Sequence, residues 1–220
     1  MNFDFCGASL TALPSGALHW RDAGLLVVSD LHMGKAERIA RRTGAMFPPY
    51  EIDETLDRLA ADIALTGPER VICLGDSFDD LAAALTLTAP QIARLGDLVA
   101  GRHWTWIEGN HDPGPTHFGG EHQAEWVEGP LTFRHIATDG AVGEISGHYH
   151  PKAQINARGR SITRPAFIFD AARLILPAYG TYTGGLYTHS PVISRLMAPN
   201  AQAILTGRTP CRLPMPRAAG

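Results

Sequence analysis

The first half of the chain alternates apolar runs with segments of helical periodicity. Residues 25–28, 71–74 and 104–107 are mostly apolar and of strand length, so they predict three buried strands. Between the first two, residues 50–65 carry apolar positions every three or four residues, which predicts an amphipathic helix. Pro90 predicts the start of a further helix that runs to about Ala100.

The second half has a different pattern, because short strand-like runs punctuated by glycine and proline follow one another. These runs are residues 126–127, 131–133, 142–145, 166–169 and 174–176. Strand–helix alternation followed by successive strands predicts a layered α/β fold in which helices flank packed sheets. We expect one domain over residues 1–220, with an irregular C-terminal tail from about residue 207.

Composition narrows the class of protein. With 220 residues and a formal net charge of −3, the chain can bury a large core but is not basic overall, so any phosphate-binding surface must be a local patch. The three cysteines form no zinc or redox motif, and the N-terminus has no signal-peptide pattern. No stretch of the sequence is both long enough and apolar enough to predict a membrane-spanning helix. We therefore expect a cytoplasmic protein without a membrane partner.

Five polar clusters follow apolar runs, and their residue types are those of metal ligands. They are Asp30-Leu31-His32, Gly75-Asp76, Gly109-Asn110-His111-Asp112, His135 and Gly147-His148-Tyr149-His150. In layered α/β folds, ligands bind at the carboxyl ends of strands, so we expect these side chains to converge. Carboxylate, imidazole and amide donors without a thiolate suit manganese, iron or zinc.

The clusters supply enough ligands for two metal ions with one shared residue, and one histidine is left over. Two ions about 3.5–4 Å apart bind both the attacking and the leaving oxygen of an in-line displacement at phosphorus. They also lower the pKa of a bridging water, so that hydroxide forms near neutral pH. The sequence therefore predicts phosphoester hydrolysis by a metal-bridging hydroxide.

The order of these motifs resembles that of the calcineurin-like metallophosphoesterases over residues 30–150. The resemblance implies an α-β-β-α sandwich with helices flanking two mixed sheets. It further implies two sets of ligands and one bridging residue. The first ion would be held by Asp30, His32 and His150, the second by Asn110, His135 and His148, and Asp76 would bridge the two. His111 would protonate the leaving oxygen, and Asp112 would orient the His111 imidazole.

A narrower resemblance rests on the residues beside these ligands. Residues 30–36, 74–78, 133–135 and 147–151 are similar to those of the bacterial ligase-associated DNA-damage-response phosphoesterases of the PdeM type. That resemblance implies a manganese-dependent phosphodiesterase or DNA endonuclease in DNA repair. It also implies a functional association with an ATP-dependent DNA ligase, a helicase and an exonuclease. Single-stranded or looped DNA is the expected substrate, and the oligomeric state is left open, a homodimer included.

Several assignments stay open at the level of sequence. His117 and His122 compete with His135 as a ligand of the second metal ion, although the flanking residues favour His135. Asp79 and Asp80 either support the metal site or cap a helix that starts near Leu81. The basic run that contains Lys35 and Arg42 is either a solvated helix face or a contact surface for substrate phosphate.

Two alternative functions are also compatible with the sequence. The ligands define the reaction but not the leaving group, so a phosphatase or phosphodiesterase acting on a nucleotide or lipid precursor is one alternative. A catalytically weak scaffold with the same fold is the other. The complete ligand set and His111 argue against the scaffold.

Overall fold

The structure is a computed structural model that describes residues 1–45, 48, 50–114, 117–157 and 159–218. Its strands are β1 (Asn2–Phe5), β2 (Ala8–Ala12), β3 (Leu18–Trp20), β4 (Leu25–Val28), β5 (Arg70–Leu74), β6 (His103–Ile107), β7 (Glu121–Gln123), β8 (Glu125–Glu128), β9 (Leu131–Arg134), β10 (Glu144–Ser146), β11 (Lys152–Ala157), β12 (Arg160–Phe169), β13 (Arg173–Ile175), β14 (Gln202–Leu205) and β15 (Cys211–Pro214). Its α-helices are α1 (Lys35–Thr43), α2 (Glu51–Thr66), α3 (Leu81–Ala84), α4 (Ala89–Val99) and α5 (Pro191–Leu196), and a short 3₁₀ helix spans Arg21–Ala23.

The first sheet places its strands in chain order, from β1 to β7. Strands β1 to β4 pair antiparallel, whereas β4 to β7 pair parallel. All four residues of β4 are buried, because its two faces contact two different cores. Strand β5 is built in the same way. Continuous apolar runs are typical of such parallel strands, which are covered on both faces.

The second sheet has the order β15-β14-β12-β13-β10-β9-β8, and β11 pairs with β12. Strand β10 pairs parallel with both β9 and β13, and the remaining pairs are antiparallel. The two sheets face each other across a core in which Phe3, Phe133 and Phe169 are buried. The rings of Phe3 and Phe169 lie 4.8 Å apart across this core.

Helices cover the outer faces of both sheets. Helix α2 buries Ile52, Leu56, Leu59 and Ile63 against the first sheet, which is the apolar face predicted from their spacing. Helix α5 packs on the second sheet through Ile193. The layers are therefore helix, sheet, sheet and helix, which confirms the predicted α-β-β-α sandwich with two mixed sheets. Among the helices of the described segments, none has the length and apolar character needed to span a bilayer.

The segment predicted to be an irregular tail instead contains β15. This strand pairs antiparallel with β14, and Leu213 packs against the core beneath α5. Beyond it, the Arg217 guanidinium donates hydrogen bonds to the carbonyls of Ser194 and Met197 at the end of α5. These carbonyls have no partner within the helix, so a cationic side chain satisfies them. The prediction of an irregular segment is wrong because these residues add an edge strand.

Candidate metal centre

The predicted ligands converge because parallel strands from both sheets end at one edge of the sandwich. Asp30 follows β4, Asp76 follows β5 and Asn110 follows β6, and these three strands are parallel neighbours. His135 follows β9 and His148 follows β10, which are parallel neighbours in the second sheet. The carboxyl ends of parallel strands therefore bring residues far apart in sequence into one cluster, as predicted.

One group of side chains contains Asp30, His32 and His150. The ligand atoms of these residues all lie within 4.8 Å of one another. His150 Nε2 lies 3.0 Å from Asp30 Oδ1 and 3.3 Å from His32 Nε2. Asp30 is fully buried and His32 is 3% exposed, whereas His150 is partly exposed, so the group is open to solvent only on the side of His150. It is the same trio that the family resemblance implies for the first metal ion.

A second group contains Asp76, His135 and His148, again with ligand atoms within 4.8 Å. His135 Nε2 lies 3.2 Å from His148 Nδ1 and 3.0 Å from Asn110 Oδ1. Asp76, Asn110, His135 and His148, which the resemblance implies for the second ion, therefore lie in one cluster. Asp76 Oδ2 lies 3.4 Å from His135 Nε2 and 3.9 Å from His32 Nε2. Asp76 therefore lies between the two groups, where a bridging carboxylate must be.

Hydrogen bonds determine which nitrogen of His135 faces the cluster. His135 Nδ1 lies 2.8 Å from the carbonyl oxygen of Leu74. A carbonyl oxygen only accepts, so Nδ1 carries a proton and a neutral ring presents the Nε2 lone pair to Asn110 Oδ1 and Asp76 Oδ2. Three acceptor atoms that face one another need a cation between them. This arrangement, in which the far nitrogen of the ring donates to a carbonyl, is typical of metal-binding histidines, and the donor set fits a divalent ion.

The charges within the cluster shift the pKa values of its members. Burial lowers the pKa of His135, but the hydrogen bond to Asp76 and the negative charges of Asp30 and Asp76 outweigh burial and raise that pKa to about 9. Burial works to raise the pKa of Asp30, yet the hydrogen bond and charge of His150 hold it below its usual value. The two carboxylates thus favour a positive charge in this space, whether a proton or a metal ion.

The backbone is left-handed at five of the predicted ligands. The φ angles are 53° at Asp30, 44° at His32, 48° at Asp76, 69° at His148 and 47° at His150. For a residue with a Cβ atom this conformation costs about 1–2 kcal/mol. Such strain persists only where the surrounding structure enforces it, and it is concentrated at functional sites. The concentration of strained residues here marks this edge of the sandwich as the functional site.

Glycine is required where the backbone passes behind the ligands. A Cβ atom at Gly109 would lie 2.2 Å from the Asp76 amide nitrogen and 2.3 Å from Asp76 Oδ1. A Cβ atom at Gly147 would lie 1.8 Å from Ser29 Oγ and 2.5 Å from Asp30 Oδ2. Any side chain at Gly109 or Gly147 would therefore displace the neighbouring residues Asp76 or Asp30.

We expect Gly109→Ala to lower the free energy of unfolding by about 1–3 kcal/mol, as overpacked cores do, and to weaken metal binding because Asp76 is displaced. Gly114→Ala is the matched control in the same loop, since a Cβ atom at Gly114 meets no heavy atom of the described residues within 4 Å. Denaturant unfolding and metal content after manganese loading measure the two effects. Equal behaviour of the two variants would contradict this account of Gly109.

His111 lies at the solvent side of the cluster. Its side chain is 28% exposed, and its Nε2 lies 4.0 Å from Asp76 Oδ2. The ring is oriented by the backbone carbonyl of Asp79, which lies 2.7 Å from His111 Nδ1. Because that carbonyl accepts the Nδ1 proton, Nε2 is the nitrogen free to exchange a proton with a bound substrate.

The structure corrects the predicted role of Asp112. Its carboxylate accepts hydrogen bonds from the backbone amides of Asp76, Ser77 and Phe78, at 2.9, 2.7 and 3.1 Å. It therefore holds the turn that carries Asp76 and does not orient the His111 ring. Burial, together with the nearby charge of Asp76, raises the pKa of the Asp112 carboxyl to about 6.

Asp79 and Asp80 have different roles. Asp80 accepts a hydrogen bond of 2.7 Å from the Ala83 amide and caps α3. Asp79 is fully buried, and its Oδ1 lies 2.9 Å from His32 Nδ1. The carboxylate thereby orients the His32 ring so that Nε2 faces the cluster, an indirect support that is common at metal sites. Asp79 also lies near His32 and His111 as a third potential metal group, but it is already paired with Lys35 and Arg38.

Of the two residues predicted to contact substrate phosphate, Lys35 lies next to the cluster and Arg42 does not. Lys35 Nζ lies 3.6 Å from Asp79 Oδ1 at the start of α1, so this cation is next to the cluster but compensated by a buried carboxylate. Arg42 lies exposed in the last turn of the same helix. Among the contacts of the described residues, none links Arg42 to the cluster.

The two competing histidines lie elsewhere. His122 is on β7, where its ring stacks on Trp106, and His117 is exposed in the loop before β7. The structure brings neither of them into the two ligand groups. His135 is therefore the histidine that the fold places beside Asp76 and His148.

Comparisons with known proteins agree with this geometry. The family model described as calcineurin-like phosphoesterase matches residues 24–207. Among solved structures, the nuclease MPE of Pseudomonas putida is similar, with a TM-score of 0.77 and 27% sequence identity over 97% of this chain and 99% of that chain. A search of curated proteins finds no match. Because the family model covers most of the chain and every residue of the ligand cluster, the chain belongs to the calcineurin-like phosphoesterase family.

Proposed function

We propose that this protein is a phosphodiesterase that cleaves DNA with two divalent metal ions, manganese being the expected metal. The observation that carries the proposal is the pair of ligand groups joined by Asp76. Asp30, His32 and His150 would hold one ion, and Asn110, His135 and His148 would hold the other. Two ions in these positions would supply Lewis-acid catalysis and a nucleophile for an in-line displacement at phosphorus.

The protein's own residues contribute position and a proton. Asp79 and the Leu74 carbonyl fix the rings of His32 and His135, so the ligand geometry exists before the metal binds. His111 Nε2 faces the cluster from its solvent side and donates a proton to the leaving oxygen. The Asp79 carbonyl keeps the His111 ring in the orientation that this transfer needs.

DNA is proposed as the substrate on two grounds. The similar structure from Pseudomonas putida is that of a nuclease. The residues that flank the ligands also resemble those of the ligase-associated, PdeM-type enzymes. A role in DNA repair, a cytoplasmic location and an association with an ATP-dependent ligase, a helicase and an exonuclease are parts of the same proposal. Co-purification with a tagged copy of the ligase tests that association.

Metal content and two cleavage assays test the central proposal. The manganese-loaded protein is expected to bind two ions, hydrolyse bis(p-nitrophenyl) phosphate and cut circular single-stranded DNA. Hydrolysis of the nitrophenyl ester without any DNA cleavage would favour a small-molecule phosphoesterase instead. A protein that binds no metal and hydrolyses neither substrate would be a scaffold, and the proposal would be wrong.

We expect faster cleavage of single-stranded or looped DNA than of perfect duplex, with little dependence on sequence. The formal net charge is −3, whereas binding to many duplex phosphates is favoured by a more basic protein. A single strand can cross the metal centre with a few cationic contacts. The measurement compares kcat/KM for a circular single strand, a hairpin loop and a blunt duplex in the same salt. Equal or faster cutting of the duplex would contradict this prediction.

A further inference from the structure

A cleft of about 270 Å³ opens beside the first ligand group, and apart from His150 the metal site uses none of its lining residues. His150 forms one edge of the cleft, and Lys152, Tyr182 and Arg58 line the remainder. Its volume is near the lower end of the range for small-molecule sites, about 300 Å³, so one nucleoside-sized group fits it. It is thus a second binding surface that adjoins the reaction centre.

The wall of this cleft is a loop of residues 180–187, here called the tyrosine loop. At one end the Gly180 amide donates a hydrogen bond of 3.1 Å to the Asp30 carbonyl. At the other end a Cβ atom at Gly185 would lie 2.0 Å from the His150 carbonyl oxygen. The loop therefore rests directly on the two backbone segments that carry ligands of the first group. Its position relative to the metal site is fixed.

The loop presents aromatic rings to solvent. Tyr182 and Tyr187 are each 39% exposed. Tyr182 has a φ angle of 60°, a strained conformation for a bulky residue, which places its ring at the cleft. Tyr187 stacks on His189 with ring centres 5.1 Å apart and planes tilted by 15°. Half-exposed flat rings next to a phosphate-cleaving centre are suited to stacking on nucleic-acid bases.

Lys152 lies between the cleft and the ring of Tyr187. Its side chain lines the cleft two residues after His150, and its Nζ lies 5.5 Å from the centre of the Tyr187 ring. No carboxylate of the described residues lies within ion-pair distance of Lys152, in contrast to Lys35 with its partner Asp79. The charge of Lys152 packs over the Tyr187 ring and is not neutralised by a carboxylate of the described residues, so it can still attract a phosphate.

A second cleft lies beside the second ligand group and is lined by two carboxylates. It borders Asn110 and His135, and its ionisable lining residues are Glu108, Glu125 and Arg134 besides His135. Arg134 is already paired with Glu125, at 2.7 Å. The described lining of the cleft beside Lys152 contains no carboxylate, so of the two clefts it is the more favourable for a polyanionic strand.

We propose that the tyrosine loop and Lys152 form a track for single-stranded DNA on the His150 side of the cleaved bond. Lys152 contacts a phosphate, and Tyr182 and Tyr187 stack on successive bases. The inference rests on the DNA-cleaving function proposed above. It adds the position of the DNA strand on the protein surface. It predicts that the tyrosines contribute to DNA binding only when the strand carries bases, whereas the lysine contributes through the charge of the DNA backbone.

Binding of fluorescent oligonucleotides to the metal-free protein, measured by anisotropy, tests each contact. The two probes are an oligo(dT) and an abasic strand of the same length. Tyr187→Ala is expected to weaken oligo(dT) binding about tenfold and to leave abasic binding unchanged, whereas Tyr187→Phe keeps the ring and the affinity. Lys152→Ala is expected to weaken both probes alike and to lower the slope of log K against log salt by about 0.7. Tyr50→Ala, just before α2, and Arg195→Ala, in α5, alter exposed residues and are the controls.

The outcomes separate this inference from the proposed function. If the wild-type protein cuts single-stranded DNA and the Tyr187→Ala and Lys152→Ala variants bind both probes as the wild type does, the track is wrong and the function stands. Equal losses on oligo(dT) and the abasic strand after Tyr187→Ala would mean that the ring supports the loop and does not stack. A wild-type protein that hydrolyses bis(p-nitrophenyl) phosphate but neither binds nor cuts DNA overturns both proposals.

Discussion

The Asp76→Ala variant is expected to lose both metal ions and at least about 10³-fold in kcat/KM on every phosphodiester. The magnitude follows because the metal ions contribute several kcal/mol to transition-state stabilisation, and each 1.36 kcal/mol is a factor of ten. Asp76 Oδ2 is within 4 Å of histidines from both ligand groups, so its removal leaves each group without its shared anion. Metal analysis after manganese loading and hydrolysis of bis(p-nitrophenyl) phosphate measure the two losses.

His32→Ala provides the contrast within the cluster, because it removes a ligand from the first group only and is expected to weaken mainly one ion. His103→Ala is the control outside the site, since His103 is exposed at the start of β6. An Asp76→Ala protein that retains two ions and full activity would show that this carboxylate does not bridge them.

The convergence of the site could be predicted because it depends on a local pattern repeated along the chain. Each apolar run that ends in a polar cluster is a strand whose carboxyl end lies at the same edge of the sandwich. In a continuous apolar run such as Leu25–Val28, successive side chains point to both faces of the sheet. Both faces must therefore be buried by other layers, which predicts a layered fold. The order of the ligands along the chain then follows from the order of the strands.

The outer strands could not be predicted in the same way. In β1 only Phe3 and Phe5 are buried, and a strand of four residues with two apolar positions is too short to be distinguished from a loop. Strand β15 has a half-buried leucine between exposed residues and forms because β14 offers a free edge. Edge strands are determined by their partner more than by their own sequence, so the tail prediction failed.

The contacts of the two supporting carboxylates, Asp112 and Asp79, could not be predicted from local sequence patterns either. Asp112 follows His111 directly, but it lies in the loop after β6, where its carboxylate contacts the turn after β5 instead of the His111 ring. Asp79 comes to His32 from a different strand end, through a packing arrangement that no spacing rule reveals. Its only signal in the sequence is its position three residues after Asp76, beside a second aspartate that caps a helix.

His111→Ala is expected to separate the two kinds of substrate. If His111 is the general acid, its contribution depends on how readily the leaving group departs without a proton. A nitrophenolate leaves readily, whereas a sugar alkoxide does not, and general-acid catalysis contributes about 10²–10⁴-fold. The variant should therefore lose about that much kcat/KM on single-stranded DNA and much less on bis(p-nitrophenyl) phosphate. Its metal content should stay near that of the wild type, because His111 Nδ1 is engaged by the Asp79 carbonyl and His111 is not in either group joined by Asp76.

The comparison with Asp30→Ala makes the His111 result specific. Loss of a metal ligand removes the nucleophile and the charge stabilisation together, so Asp30→Ala should reduce hydrolysis of both substrates alike. The measurement is kcat/KM for both substrates in the wild type and the two variants, with metal content determined for each. If His111→Ala loses metal, the third potential group of His32, Asp79 and His111 binds an ion and His111 is a ligand. If it keeps its metal but loses both activities equally, His111 positions the phosphate and the proton comes from elsewhere.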